Sequence, residues 1–262
     1  MLKALLWLLL LVTLHPNTPI VKTGNTVGSR FKAPTGYNHA HLSRQSFGDW
    51  LLHRPLKPVG TPTLTYAGNF AHTNRYTAGV LDISVRKNGL QQCADAAIRL
   101  IAEYLYSKRN YRALHFNFTS GFNCDFVHFA EGYRYQQNGT WKKLAPKSYS
   151  YNTFQQYLDL VFSYAGTLSL ERELQPVNNA ADIQAGDLFI KGGSPGHCFI
   201  VMNVVENKTT RQKKFLLAQS FIPAQNIQIV QSDSPWFSLY DYAMIPYGQL
   251  INKAYLKRFN FR

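Results

Sequence analysis

Leu90-Gln91-Gln92-Cys93-Ala94-Asp95-Ala96-Ala97-Ile98-Arg99-Leu100 is the stretch that organises this chain, because a loop becomes a helix within it. From Gln91 to Lys108, residues Ala94, Ala97, Ile98, Ile101 and Leu105 recur at helical spacing and make one apolar stripe. The small residues behind Cys93 let the helix start pack closely on a sheet. Further along, Ala185-Gly186-Asp187-Leu188-Phe189-Ile190 is followed by Ser194-Pro195-Gly196-His197, which opens the apolar run Cys198-Phe199-Ile200-Val201-Met202. From residue 187 onward the pattern is β, with strands expected over 188–191, 198–205, 214–218 and 227–230 and a polar hairpin at 207–213. Helices first and an antiparallel sheet late give an α+β fold. The expected architecture is an N-terminal helix on a C-terminal antiparallel sheet, with a helical insertion between them.

Around that frame the elements are less regular. Residues 46–53 read as a short helix, 63–66, 78–85 and 115–119 as strands, and 124–133 as an aromatic helix. A turn falls at 136–139, and a second clear helix over 151–164 carries Phe154, Tyr157, Leu158, Val161 and Phe162 on its apolar side. Residues 17–45, rich in Asn, Thr, Gly, Pro and His, read as a flexible linker. Lys3 and the apolar run Ala4–Leu14 read as a signal peptide over 1–16, which places the protein in the periplasm or cell envelope. Membrane contact follows only if that segment stays uncleaved. Residues 46–262 form one domain.

The chain has 262 residues, 45% of them hydrophobic and only 16% charged, so it folds around a sizeable core and is not disordered. Its formal net charge of +14 suits an anionic partner, and an envelope polymer such as peptidoglycan fits the compartment. The basic residues are scattered. Arg211, Lys213 and Lys214 mark a hairpin tip, and Lys253, Lys257, Arg258 and Arg262 line one face of an expected final helix. No nucleic-acid motif accompanies them, so nucleic acid is not expected. Cys124 and His128 are too few ligands for zinc, and neither a metal nor a cofactor is expected. The three cysteines, Cys93, Cys124 and Cys198, leave at least one thiol unpaired.

Cys93 is the candidate nucleophile. Helix-start N–H groups and the helix dipole favour a thiolate there, whereas Asp95 opposes it. His197 is the candidate base. Strand alternation puts His197 and Phe199 on one side and Cys198 on the other. Gln219 lies at the end of the neighbouring strand, where its amide can orient the imidazole; Ser220, Gln225 and Asn226 are the substitutes. The Cys93 N–H and Gln92 are the candidate oxyanion donors. A buried structural cysteine and ordinary strand-end polar residues are the competing readings, and they make the protein a non-catalytic envelope binding or scaffolding protein.

Cys93, Gly186-Asp187-Leu188, His197 and Gln219, in this order, resemble the NlpC-type papain-like hydrolases of bacterial cell envelopes. The resemblance implies a papain-like core and a cysteine hydrolase that cleaves an amide bond, in peptidoglycan peptides. The chain departs from that pattern at Ala94-Asp95, where a small polar pair is usual, and in the long insertion before His197. Nearly the whole mature chain is similar to an exported bacterial family, domain-of-unknown-function family 4846. The segments that carry this are Leu56-Lys57-Pro58, Val80-Leu81-Asp82-Ile83, Gln91-Gln92-Cys93-Ala94-Asp95-Ala96, Gly192-Gly193-Ser194-Pro195-Gly196-His197 and 217–225. That second resemblance implies fold context and no reaction.

Overall fold

The computed structural model of the chain describes residues 20–239 and 242–261. The expected signal segment 1–16 lies outside the described residues. The protein is mixed α+β, built on a nine-stranded sheet.

The chain enters through α1 (Val27–Arg30), β1 (Tyr37–His39) and α2 (Phe47–Leu52). This corrects the expected linker at 17–45 for its described part. Val27 and Phe31 are buried in the main core, and β1 pairs with the longest strand of the sheet. Local chemistry makes α1 despite the polar composition: Thr26 Oγ1 accepts from the Ser29 N–H at the helix start, and Ser29 Oγ accepts from the Thr26 N–H. Ser46 Oγ caps α2 by accepting from the Asp49 N–H at 3.2 Å.

After β2 (Thr77–Val80) comes α3 (Cys93–Ser107). The apolar stripe of α3 is buried as expected, and Leu100, Ala96 and Ala102 are buried too. The helix is covered almost all round along its first ten residues, because the insertion folds over its outer side. At roughly 1.5–3 kcal/mol per fully buried large aliphatic side chain, Ile98, Leu100, Ile101 and Leu105 anchor it firmly.

The insertion holds a hairpin of β3 (His115–Asn117) and β4 (Asn123–Asp125), then α4 (Phe126–Ala130), a second hairpin of β5 (Tyr133–Gln136) and β6 (Thr140–Lys143), and helices α5 (Tyr151–Tyr164) and α6 (Thr167–Glu173). The expected helix over 124–133 is thus shortened at both ends, to Phe126–Ala130, with Tyr133 already in β5. Asp125 caps α4 by accepting from the His128 N–H, so the helix starts only at Phe126, and Cys124 belongs to β4, facing Phe116. Stacked and edge-on rings of Tyr106, Tyr111, Phe126 and Phe154 weld the insertion to α3.

The remaining strands are β7 (Gln175–Pro176), β8 (Leu188–Lys191), β9 (His197–Asn207), β10 (Lys213–Gln219), β11 (Gln228–Val230), β12 (Trp236–Phe237) and β13 (Leu256–Arg258). The sheet runs β2-β11-β10-β9-β8-β13-β7, with β1 on β9 and β12 on β10. All of its pairings are antiparallel. The expected strand at 63–66 makes only isolated bridges, to Phe70 and Gln225. The expected final helix is instead a single 3-10 turn at Lys253–Tyr255 followed by β13. Burial of Leu256 and pairing with β8 hold that segment extended.

Both faces of the sheet are covered. Cys198, Ile200, Met202, Leu216 and Ala218 face the core shared with α3 and α5. Phe199, Val201, Phe215 and Leu217 face a second core closed by Ile183, Ile245 and Leu250. Among the described residues no helix is long and apolar enough to cross a membrane.

Candidate functional site

Cys93 is the first residue of α3, and it lines a cleft of about 670 Å³. Gln92, Asp95, Gly196 and Tyr247 line the same cleft. Gly196 has to be a glycine, since a Cβ there would collide with Thr167 Oγ1 and the Gly193 carbonyl oxygen. That close approach of the 192–196 loop to α6 places His197 at the start of β9, beside the cleft.

His197 is 1% exposed, and its Nε2 donates to Gln219 Oε1 at 2.7 Å. A carbonyl oxygen only accepts, so this bond puts the proton on Nε2 and leaves Nδ1 with a lone pair. The ring is held on its faces as well. Tyr247 stacks on it at 4.5 Å and 13°, and Phe199 meets it edge-on at 4.7 Å. Tyr247 adopts φ 61°, a left-handed conformation unusual for a bulky residue, so its backbone is strained at the position that packs the imidazole. Sequence reasoning missed Tyr247, since it lies 50 residues from His197 without a local motif.

The substitutes for Gln219 are engaged elsewhere. Ser220 Oγ donates to the Gln91 and Gln225 carbonyl oxygens, at 3.0 and 2.9 Å. Gln225 donates to Gln228, and Asn226 accepts from the Leu64 N–H. Ser220 nevertheless ties the end of β10 to the residue two before Cys93. It joins the strand that carries Gln219 to the start of α3.

Burial dominates the electrostatics. It pushes the Cys93 thiol up to about 11; nearby Asp95 adds to the rise, and the N–H groups of Ala94 and Cys93 act against it. The expectation that the helix start favours a thiolate is therefore corrected: desolvation outweighs the helix N–H groups. The Cys124 and Cys198 thiols are raised further, both first by burial. All three cysteines are free. Burial lowers His197 to about 4, with Gln219 pulling the other way. Asp95 rises to about 8 by burial; its Oδ2 accepts from the Gln92 N–H at 2.9 Å, and its Oδ1 has no partner. Thiol and imidazole are both neutral near pH 7, and no hydrogen bond joins Cys93 to His197 among the described residues.

Of the other candidates, Gln92 borders the cleft, and its backbone N–H is held by Asp95. Asp187 is a structural residue. It is fully buried, accepts from Arg258 Nε at 2.6 Å and Nη2 at 2.9 Å, and also receives the Gln184 N–H. Gly186 before it has φ +97°, which only glycine adopts without strain. Cys124 and His128 share no site: Cys124 is fully buried, and His128 pairs with Asp125 and stacks on Trp141. Among the described residues no group of three or more His, Cys, Asp or Glu is placed to hold a metal.

Fold and site together define an α+β protein in which a helix-start cysteine lines a cleft and an amide-oriented histidine is buried directly after Gly196 of the cleft wall. The chain belongs to the family described as Domain of unknown function (4846), whose model matches residues 27–250. No curated protein and no solved structure matches it.

Proposed function

We propose that this protein is an exported cysteine hydrolase with a papain-like core that cleaves an amide bond, in the peptides of peptidoglycan. The observation that carries the reading is the His197–Gln219 hydrogen bond, which leaves Nδ1 as a proton acceptor. Cys93 Sγ attacks the carbonyl carbon while its proton passes to His197 Nδ1. The Cys93 N–H and Gln92 donate to the resulting oxyanion. The imidazolium then protonates the leaving amine, and water hydrolyses the thioester, restoring the thiol. Because the resting pair is neutral, proton transfer accompanies attack and does not precede it. The net charge of +14 favours an anionic polymer as substrate.

A non-catalytic envelope binding protein that retains the fold is the second reading, favoured by the raised Cys93 thiol. Incubation of the purified protein with muropeptides, followed by mass spectrometry, separates the two. The hydrolase reading expects fragments that gain one water across an amide bond, absent with Cys93→Ala and His197→Ala. Equal turnover by Cys93→Ala, or intact muropeptides with the wild-type chain, removes it.

A further inference from the structure

A second pocket of about 390 Å³ lies against α3 and α5 and shares no lining residue with the Cys93 cleft. Its lining includes Trp50, Arg54, Arg86, Arg99, Tyr151 and Gln155. We propose that this pocket binds the oxyanion group, carboxylate or phosphate, of a small ligand.

Two buried donors in the lining have no acceptor. Arg99 is 3% exposed; its Nε donates to Glu103 at 2.7 Å and its Nη2 to Tyr151 at 3.2 Å, while Nη1 has no partner. Gln155 is 9% exposed, and its Nε2 is unpartnered too. Buried unpaired donors cost stability, and both lack the same thing, an acceptor.

Arg54 supplies the third element. Its guanidinium lies 3.6 Å over the Trp50 ring, and its Nε donates to the Trp50 carbonyl oxygen at 2.9 Å. These contacts fix the plane of the fork. Its Nη groups make no hydrogen bond and no ion pair among the described residues. A planar, pre-oriented guanidinium with a free edge matches two oxygens of one carboxylate or phosphate.

Charge agrees with this assignment. Arg86 is spent on Asp159 at 2.9 Å, and Glu103 is shared between Arg99 and Tyr151. Arg54 makes no ion pair among the described residues and feels Glu103 only through space, so Glu103, already bonded to Arg99, and the exposed Asp82 are the lining carboxylates that oppose an anion. The ligand therefore brings oxygen acceptors and negative charge.

Calorimetric titration of the full chain with inorganic phosphate and with glutarate, at constant ionic strength, tests the pocket. One-to-one saturable binding of at least one anion is expected, with Kd of about 1 mM or tighter. Arg54→Met should weaken it about tenfold to a hundredfold. Arg54→Lys, which keeps charge without the fork, should restore it only in part. Gln155→Leu, which removes a donor and leaves Arg54 intact, should also weaken binding if Arg54→Met fails to fold. Lys147→Met, outside the pocket, should change nothing. A preference for phosphate identifies a phosphoryl ligand, and a preference for glutarate a carboxylate. Absence of saturable binding by both anions, or binding untouched by the Arg54 and Gln155 changes, overturns the proposal. Either result leaves the hydrolase reading unaffected.

Discussion

His197 and Gln219, 22 residues apart in sequence, meet across β9 and β10 through a 2.7 Å hydrogen bond in which both side chains are 1% exposed. Gln219→Leu strands the Nε2–H of His197 in a buried site. Loss of about 1–3 kcal/mol of stability is expected, the cost of an unsatisfied buried donor. Urea unfolding at pH 7 reads it directly. An unchanged midpoint would mean that the imidazole has another acceptor.

Tyr247 should control the acidity of His197 through burial. Removing the ring with Tyr247→Ala admits water, so the His197 pKa should climb from about 4 toward the ordinary 6.5. Tyr247→Phe keeps the stack and should move it little. Proton NMR titration of the imidazole measures both. The stability linkage follows from the same lowered pKa. Between about 6.5 and about 4 the unfolded chain binds a proton that the folded one refuses, so stability falls as pH drops through that window. His197→Gln should flatten that part of the acid-unfolding curve.

Asp95 has the opposite sign of pH dependence. Its folded pKa of about 8 lies above the ordinary carboxyl value of 3.8, so the folded state holds the extra proton, and stability is lost as pH rises from about 4 to about 8. Asn keeps an acceptor for the Gln92 N–H and cannot ionise. Asp95→Asn should therefore exceed the wild type in stability at pH 9 by a few kcal/mol, roughly the scale of a fully buried carboxylate, with the difference vanishing near pH 4. The same variant should speed alkylation of Cys93 at pH 9, where the Asp95 charge otherwise opposes the thiolate. A pH-independent stability difference would contradict the assignment.

Arg258→Met leaves the fully buried Asp187 without its two guanidinium hydrogen bonds. A cost of about 2–4 kcal/mol is expected, moderated by the partial exposure of Arg258. A double-mutant cycle with Asp187→Asn should show that most of the loss is shared, since one interaction is broken in both. Additive losses would refute the coupling.

Part of this architecture was legible in the chain. The helix bounds at Tyr151–Tyr164 and the strand Leu188–Lys191 agree with the sequence pattern, because long amphipathic runs and short apolar runs carry their signal locally. The face assignment of His197, Phe199 and Cys198 also follows from alternation alone. Residues 20–45 and the C-terminal segment were misread, because a few buried anchors, Val27, Phe31 and Leu256, outweigh a polar or basic composition.

The sequence by itself determined the α+β class, the cysteine at the start of α3, the histidine at the start of β9 and the polar residue on β10, since spacing and alternation set each of these. Tertiary structure alone decided which amide meets the imidazole, that Tyr247 stacks on it, and that burial makes thiol and imidazole neutral. The physical reason is that hydrogen-bond choice and desolvation depend on residues brought together from distant parts of the chain. Local pattern does not encode how much water remains around a side chain.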